Sequence, residues 1–323
     1  MNQERIYKVT FLINPISGGG AGRRIFRFLP EIMASFGFQR ENWHAEFTDP
    51  RDLVAQMHRL FPLTEKLIAV GGDGTMNLVL SHTNDPEIEL GLIPLGTGND
   101  LSRAMGVWDN FQKRGLLNTV RKLVNTQSKP FDLWKVAGKY HLAAYISMGM
   151  DAKVAHFFDR ARSQGHLPLQ AAWFNKLHYL KSFWRLKSHK LSEQAKLSYQ
   201  TIDGRWHHKE LGGQSSLLLG NINSYGGGAC PFGCSIYSDG LLHFIRVKNL
   251  PLFTMLMSTT LSKIWAGVAA RFLLPIRQGK SFRLTIPKGE FVQIDGEDRS
   301  RELAGQTVEI EHVGQVKMLV LAN

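Results

Sequence analysis

Two stretches of this chain combine residues able to hold a phosphate with residues able to hold a metal: Leu67-Ile-Ala-Val-Gly-Gly-Asp-Gly-Thr-Met-Asn77 and Leu92-Ile-Pro-Leu-Gly-Thr-Gly-Asn-Asp-Leu101. In each, an apolar run enters a turn of Gly, Thr, Asn and Asp, the arrangement by which α/β proteins turn bare backbone N–H groups toward a phosphate. One Gly-rich loop carries little information, but two, each after an apolar run and before a helix-like segment, point to a nucleotide site. Ordinary tight turns would need neither Asp73 between glycines nor the crowded run from Gly96 to Asp100. Asp73 is an acid in a loop otherwise suited to anions, so its carboxylate would repel a phosphate unless a cation lay between them. Mg²⁺, which prefers oxygen ligands, resolves that conflict. Asp100 and Asp132 are candidates for supporting it, and Asp100 could equally cap a helix starting at Leu101.

Such loops need a scaffold that aims them at one point. From the start of the chain to about residue 130, strand-like stretches at 8–13, 43–47, 66–70 and 89–94 alternate with helix-like stretches at 23–35, 51–60 and 76–81. This order predicts a parallel sheet with helices on its faces, where ligands sit at the carboxyl ends of the strands. The glycine motifs and Thr48 all lie just past such ends. Beyond Pro130 the texture changes to short stretches at 133–136, 141–148, 195–199, 215–219, 241–247, 282–286 and 291–294, separated by turn residues. These predict an antiparallel β domain with helical insertions near 167–190 and 252–275. The expected fold class is therefore α/β, an N-terminal parallel-sheet nucleotide-binding domain followed by an antiparallel β domain.

Composition narrows the function classes. With 323 residues, 43% hydrophobic and 20% charged, the chain has ample core for two domains and little reason for disorder. Its two cysteines, Cys230 and Cys234, form neither a disulfide framework nor a zinc pattern, which fits a reducing cytoplasm. No signal-peptide pattern precedes the first strand-like run, and the apolar window 250–276 is interrupted by Lys263 and Arg271. A membrane role would be peripheral. The formal net charge of +12 implies an anionic partner. Residues 175–190 carry five Lys/Arg and no acid, with Leu177, Leu180, Phe183, Trp184 and Leu186 at near-helical spacing. Such a segment suits an anionic membrane surface, and equally a packed amphipathic helix with a solvated basic face. Nucleic acid is not expected as a partner, because no helix-turn-helix, zinc-finger or RNA-binding signature accompanies the charge.

The run Gly71-Gly-Asp-Gly-Thr75, together with Pro94-Leu-Gly-Thr-Gly-Asn-Asp-Leu101, resembles the catalytic domain of the diacylglycerol kinase family, in its soluble bacterial lipid kinase branch. Asn14-Pro-Ile-Ser-Gly-Gly-Gly-Ala-Gly22 is similar to the family's opening loop and Ile294-Asp-Gly-Glu297 to its closing motif, and the motifs fall in the family's order. The resemblance implies an ATP-binding α/β domain over residues 1–131, completed by about 310–323 with 316–321 as a returning strand, and a β-sandwich lipid-substrate domain over 132–309. It implies ATP-dependent transfer of the γ-phosphoryl group to a hydroxyl of diacylglycerol or a related membrane lipid, with Mg²⁺ as cofactor, in a cytoplasmic protein peripherally associated with the membrane. A homodimer stays open.

By the same resemblance, Asn14, Pro15, Ser17, Gly18, Thr48, Gly71, Gly72, Gly74, Thr75, Asn77 and Thr97 hold the nucleotide. Asp73 serves the catalytic metal, and Glu297 is the general base at a cleft between the domains, with Asp295 beside it. Ile236-Tyr-Ser-Asp-Gly-Leu241 is similar to a second, structural Mg²⁺ site, in which Asp239 supplies a carboxylate and Ile236 and Leu241 supply carbonyls. Read without the family, Asp295-Gly296 and Asp239-Gly240 are equally simple turns, and Thr48 is equally structural. The chain departs from the family pattern at Leu78, where many relatives carry Glu, and at Ser238 and His243, which replace outer acids of the structural metal motif. Sphingosine or ceramide kinases are the nearest alternative, followed by NAD kinase. A non-catalytic lipid or nucleotide sensor would have been favoured by loss of Asp73 or Glu297, and both are present.

Overall fold

The computed structural model of the chain describes residues 5–83, 85–163, 189–233, 237–258 and 276–321. They fall into two compact units, Met1–Phe131 with Gln315–Asn323, and Asp132–Gly314. The first unit runs β1 (Tyr7–Ile13), α1 (Ser17–Ser35), β2 (Trp43–Phe47), α2 (Leu53–Leu60), β3 (Thr64–Gly71), α3 (Asp73–His82), β4 (Glu89–Pro94), α4 (Asp100–Ala104) and α5 (Val107–Asn125). Its strands are parallel in the order β2-β1-β3-β4. β1, β3 and β4 are buried over most of their lengths, as a parallel sheet covered on both faces requires. Each expected strand is present to within two residues. The long helix α5 was not foreseen: only five of its 19 residues, Val107, Thr119, Val120, Leu123 and Val124, are buried. Lys66 compensates at its C-terminus: Nζ donates to the Val124 and Thr126 carbonyls at 3.1 and 2.8 Å, satisfying acceptors that a helix end leaves open.

The chain continues through β5 (Ser128–Val136), β6 (Tyr140–Leu142), β7 (Tyr145–Gly149), α6 (Met150–Ser163), β8 (Lys196–Gln200), β9 (Trp206–Glu210), β10 (Ser216–Gly220) and β11 (Leu242–Val247). After these come α7 (Leu250–Met257), β12 (Arg277–Gly279), β13 (Ser281–Thr285), β14 (Val292–Ile294), β15 (Glu297–Asp298), α8 (Ser300–Leu303) and β16 (Thr307–Leu319). One antiparallel sheet has the order β12-β11-β10-β7-β14-β15. A second layer is built from β13, which pairs with β8 and with the first part of β16, and from β9 and the β5–β6 pair. Trp134, Leu197, Phe282 and Ile310 from this layer meet Ile146, Met148, Leu219 and Phe244 from the other in one core. Two sheets facing each other across a shared apolar layer make a β-sandwich. The last part of β16 leaves that layer and runs parallel to β4, with Lys317 beside Glu89 and Met318 beside Leu90.

No helix among the described residues is long and apolar enough to cross a membrane. α7 covers the start of the apolar window, capped by Asn249, whose side chain accepts the Leu252 N–H at 3.1 Å. Residues 259–275, and 164–188 with most of the basic segment, lie outside the described residues.

Candidate active site

The three glycine loops leave the sheet of the first unit from adjacent strand ends. Ile13 is in register with Phe47 and with Val70, and Gly71 with Pro94, so the residues following β1, β2, β3 and β4 emerge on the same edge. Parallel pairing sets this arrangement directly, since every carboxyl end faces the same way. After β1, the loop passes Gly18, Gly19 and Gly20 at φ 60, 63 and 89°, a left-handed stretch that side chains resist. Helical turns of α1 begin at Ser17, but regular helical dihedrals start only after these glycines. Gly22 is required for a different reason: a Cβ there would stand 2.1 Å from the Asn14 carbonyl oxygen.

The loops are tied to one another. Asn14 Nδ2 donates to Thr75 Oγ1 at 3.4 Å, and its Oδ1 accepts the Ile16 N–H at 3.2 Å. Leu95 N–H donates to the Gly71 carbonyl at 2.7 Å. A Cβ on Gly71 would strike Thr75 Oγ1 at 2.4 Å, and one on Gly96 would lie 2.6 Å from the Gly72 Cα. Asn99, itself left-handed at φ 55°, closes the third loop by accepting the Gly96 N–H at 2.9 Å and donating back to the Gly96 carbonyl. Asn99 is the N-cap residue of α4 and turns its side chain backward into the loop, so Asp100 opens the helix rather than capping it. Thr75 is buried, Pro15, Ser17 and Asn77 are half-buried, and Gly18 and Thr97 are exposed.

Thr48 is held on both sides by a residue that no motif singles out. Gln56 of α2 is 8% exposed; its Nε2 donates to the Phe47 carbonyl at 2.7 Å and its Oε1 accepts the Asp49 N–H at 3.1 Å. The Thr48 N–H itself donates to the Ile13 carbonyl at 2.8 Å. Gln56 also donates to Glu46, whose other contacts are His44 at 2.8 Å and Arg59 at 2.8 and 3.0 Å. Burial raises the Glu46 carboxyl, but these hydrogen bonds and the Arg59 charge outweigh it and hold the group below its ordinary value. Only the position of Gln56, a polar residue on the inward face of a helix, could have flagged it in the sequence.

Asp73 and Asp100 converge in the same unit. The Asp100 N–H donates to Asp73 Oδ2 at 2.8 Å, and a Cβ placed on Gly98 would stand 3.6 Å from Asp100 Oδ2 and 3.9 Å from Asp73 Oδ2. Two carboxylates against one glycine are a donor set suited to a hard divalent cation. At Gly20 and Gly74 an added Cβ would meet no heavy atom within 4 Å, so both loops leave space in which a polyphosphate could lie beside glycine N–H groups. The residues present thus fit both nucleotide and metal. Asp132 has its own partners in the second unit, accepting the Gly240 N–H at 2.7 Å and meeting His312 Nε2 at 3.0 Å.

In the second unit, Ile294-Asp-Gly-Glu297 is a two-residue hairpin. Ile294 pairs with Glu297, and the two residues between them are left-handed, Asp295 at φ 50° and Gly296 at φ 86°, the backbone of a type I′ turn. The Asp295 carboxylate accepts three backbone N–H groups, from Ala143, Ala144 and Tyr145, each at 2.8 Å. Burial pushes its carboxyl up to about 6; the three N–H groups oppose the rise and the Glu297 charge adds to it. Asp295 is therefore an anchor for the turn. Glu297 is half-exposed and ion-paired with Arg299, whose guanidinium lies 4.8 Å from the Tyr140 ring centroid.

At the second metal motif, Asp239 Oδ1 accepts the Leu241 N–H at 3.0 Å. Burial raises its carboxyl, Asp132 adds to that, and His243 opposes it. Ile236 lies outside the described residues. Among the described residues, no group of three or more His, Cys, Asp or Glu side chains is placed to share one metal ion. Sequence reading also missed Asn221, a buried residue that accepts the Trp134 indole N–H at 3.2 Å and donates to the Asp132 and Ala143 carbonyls at 2.9 and 2.8 Å.

Comparison with known proteins places these features in a family. Residues 8–136 match the diacylglycerol kinase catalytic domain and residues 141–298 the diacylglycerol kinase accessory domain. The chain belongs to the diacylglycerol kinase family. Among its curated relatives, the eye-specific diacylglycerol kinase of Drosophila melanogaster is 26% identical over 97% of this chain and 22% of its own length. Diacylglycerol kinase 2 of Arabidopsis thaliana is 27% identical over 80% of this chain and 39% of its own. The chain thus spans well under half the length of these relatives. The crystal structure of a diacylglycerol kinase from Bacillus anthracis str. Sterne superposes with a TM-score of 0.65 at 18% identity, covering 98% of both chains. A second structure from the same organism gives 0.69 at 20% identity, again over 98% of both. The diacylglycerol kinase fold of this chain is therefore shared along nearly its whole length.

Proposed function

We propose that the chain is an ATP-dependent lipid kinase that transfers the γ-phosphoryl group of ATP to a hydroxyl of diacylglycerol or a related membrane lipid. The observation that carries this reading is the mutual contact of the three glycine loops at the carboxyl edge of the parallel sheet, with Asp73 and Asp100 converging on Gly98. Family membership supports it.

ATP with Mg²⁺ supplies the transferable phosphoryl group and neutralises its charge. Asn14, Pro15, Ser17 and Gly18 of the first loop, Gly71, Gly72, Gly74, Thr75 and Asn77 of the second, and Thr48 and Thr97 at the neighbouring strand ends hold the nucleotide. Asp73, with Asp100 beside it, holds the metal. The Glu297 carboxylate takes the proton of the acceptor hydroxyl, and Asp295 keeps the turn under Glu297 in one conformation. Asp239 and Leu241, with Ile236, form a second Mg²⁺ site, checked by Mg²⁺-dependent thermal stabilisation that Asp239→Asn removes. The reading includes peripheral attachment to an anionic membrane surface in the cytoplasm, supported by the +12 charge, and vesicle sedimentation at increasing salt tests it.

The deciding experiment follows labelled γ-phosphate from ATP into detergent-dispersed diacylglycerol, monoacylglycerol, phosphatidylglycerol, ceramide and sphingosine. A labelled lipid from the wild type and none from Glu297→Gln is the expected result and names the acceptor. ATP binding without transfer to any acceptor would replace the kinase by a sensor.

A further inference from the structure

Behind the turn that carries Glu297 lies a buried polar chain that the reaction outlined above does not use. Asp151 is 1% exposed, Ser147 0%, and Tyr225 and Gln293 each 2%. Ser147 Oγ donates to Asp151 Oδ2 at 2.6 Å, and the Tyr225 hydroxyl donates to the same oxygen. Gln293 Nε2 reaches Ser147 Oγ at 2.9 Å and the Tyr225 oxygen at 3.4 Å, while Gln293 Oε1 accepts the Gly296 N–H at 2.6 Å.

The direction of these bonds is dictated from one end. Asp151 stands in the first turn of α6, and its Oδ2 accepts from both hydroxyls. A hydroxyl has one proton, so Ser147 and Tyr225 each commit theirs to Asp151 and present lone pairs to Gln293. The Gln293 amide must then donate on that side, which turns its oxygen toward Gly296. Asp151 thus selects, through Ser147 and Tyr225, which end of Gln293 meets the turn. We infer that Gln293, oriented through Ser147 and Tyr225 by Asp151, is a positioning residue that holds the Gly296 N–H and with it the placement of Glu297. This rests on the kinase reading for its catalytic consequence, whereas the hydrogen-bond chain stands without it.

The chain of donors can be reversed, which makes the inference testable without emptying the core. Gln293→Glu sets a second acceptor against hydroxyls whose protons are already committed. Adding Asp151→Asn supplies a donor at the other end, so that the hydroxyls can turn toward Glu at 293, whose second oxygen still accepts the Gly296 N–H. The readouts are amide hydrogen exchange at Gly296, kcat, and KM for ATP, with melting temperature as the check of folding. Gln293→Glu is expected to lose Gly296 protection and to lower kcat roughly ten- to a hundredfold, the scale of a small misplacement at a reacting group. KM for ATP should stay within about twofold, and the double variant should regain protection and most of kcat. Gly296 protection that survives Gln293→Glu, or that a folded double variant does not regain, overturns the chain. Protection lost without a fall in kcat overturns the positioning role. A wild type that transfers no phosphoryl group overturns the kinase reading, and the exchange rates then decide the hydrogen-bond chain by themselves.

Discussion

Gly96 and Gly72 touch through their backbones: a Cβ on Gly96 would come within 2.6 Å of the Gly72 Cα, and one on Gly72 within 3.1 Å of the Gly96 Cα. The second and third loops can therefore approach each other only as glycines. Gly96→Ala should force them apart, lowering stability by about 1–3 kcal/mol as overpacked sites do, and weakening ATP binding with it. Gly74 is the contrasting position, with open space where a Cβ would go. Gly74→Ala should leave the melting temperature nearly unchanged and still weaken ATP binding. Calorimetric titration and thermal melts of both variants check the pair, and full ATP affinity in Gly74→Ala would remove that glycine from the cradle.

Asp73 should be separable from the fold. Its Oδ2 accepts the Asp100 N–H, and an amide oxygen can do the same, so Asp73→Asn should keep the loop geometry while losing the charge a metal needs. Phosphoryl transfer is expected to fall by at least about 100-fold at saturating Mg²⁺, with a melting temperature near that of the wild type. Transfer at the wild-type rate would end the metal assignment.

Gln56 should act on ATP through Thr48. Replacing it with Leu leaves the Phe47 carbonyl and Asp49 N–H without their clamp, at a cost of about 1–2 kcal/mol. KM for ATP should rise several-fold while KM for the lipid and the pH dependence of kcat hold steady. Equal effects on both substrates would mark Gln56 as part of the general scaffold.

Asp295 predicts a pH signature of definite sign. With its carboxyl pushed up to about 6 by burial, from an ordinary 3.8, the folded chain still holds a proton there between about pH 4 and pH 6 where the unfolded chain has released it. Stability contributed by this group therefore falls as the pH rises through that window. Glu46 and Asp298, whose carboxyls are held low against burial by their hydrogen-bond partners, act in the opposite sense and lose their contribution as the pH falls. Denaturant midpoints measured from pH 4 to 7 should show a falling component in the wild type that is absent from Asp295→Asn. An identical pH slope in the two would refute the raised carboxyl.

Much of the first unit was legible because its signals are local. A buried parallel strand reads as an apolar run, and the glycine loops follow it at once, so β1, β3 and β4 and their loops could be placed from residues 8–101 alone. Helix α5 was not legible, since its stability comes from a narrow buried stripe and from Lys66, about 60 residues away in sequence. Similarly, Asp295-Gly296 could be recognised as a turn or as part of a motif. That the Asp295 carboxylate gathers the N–H groups of Ala143 to Tyr145, some 150 residues earlier, appears only when β7 and β14 pair.

By itself the sequence determined which backbone can approach a phosphate, because glycine's freedom and an acid's charge are properties of the residue. It also determined the family, through motifs in a fixed order. Tertiary structure alone decided which polar side chains are held and by what: Gln56 around Thr48, Asn221 beneath Trp134, and Gln293 behind Gly296. Those roles depend on partners brought to hydrogen-bond distance in a buried place by the folded chain, a condition that leaves no periodicity or spacing in the sequence to read.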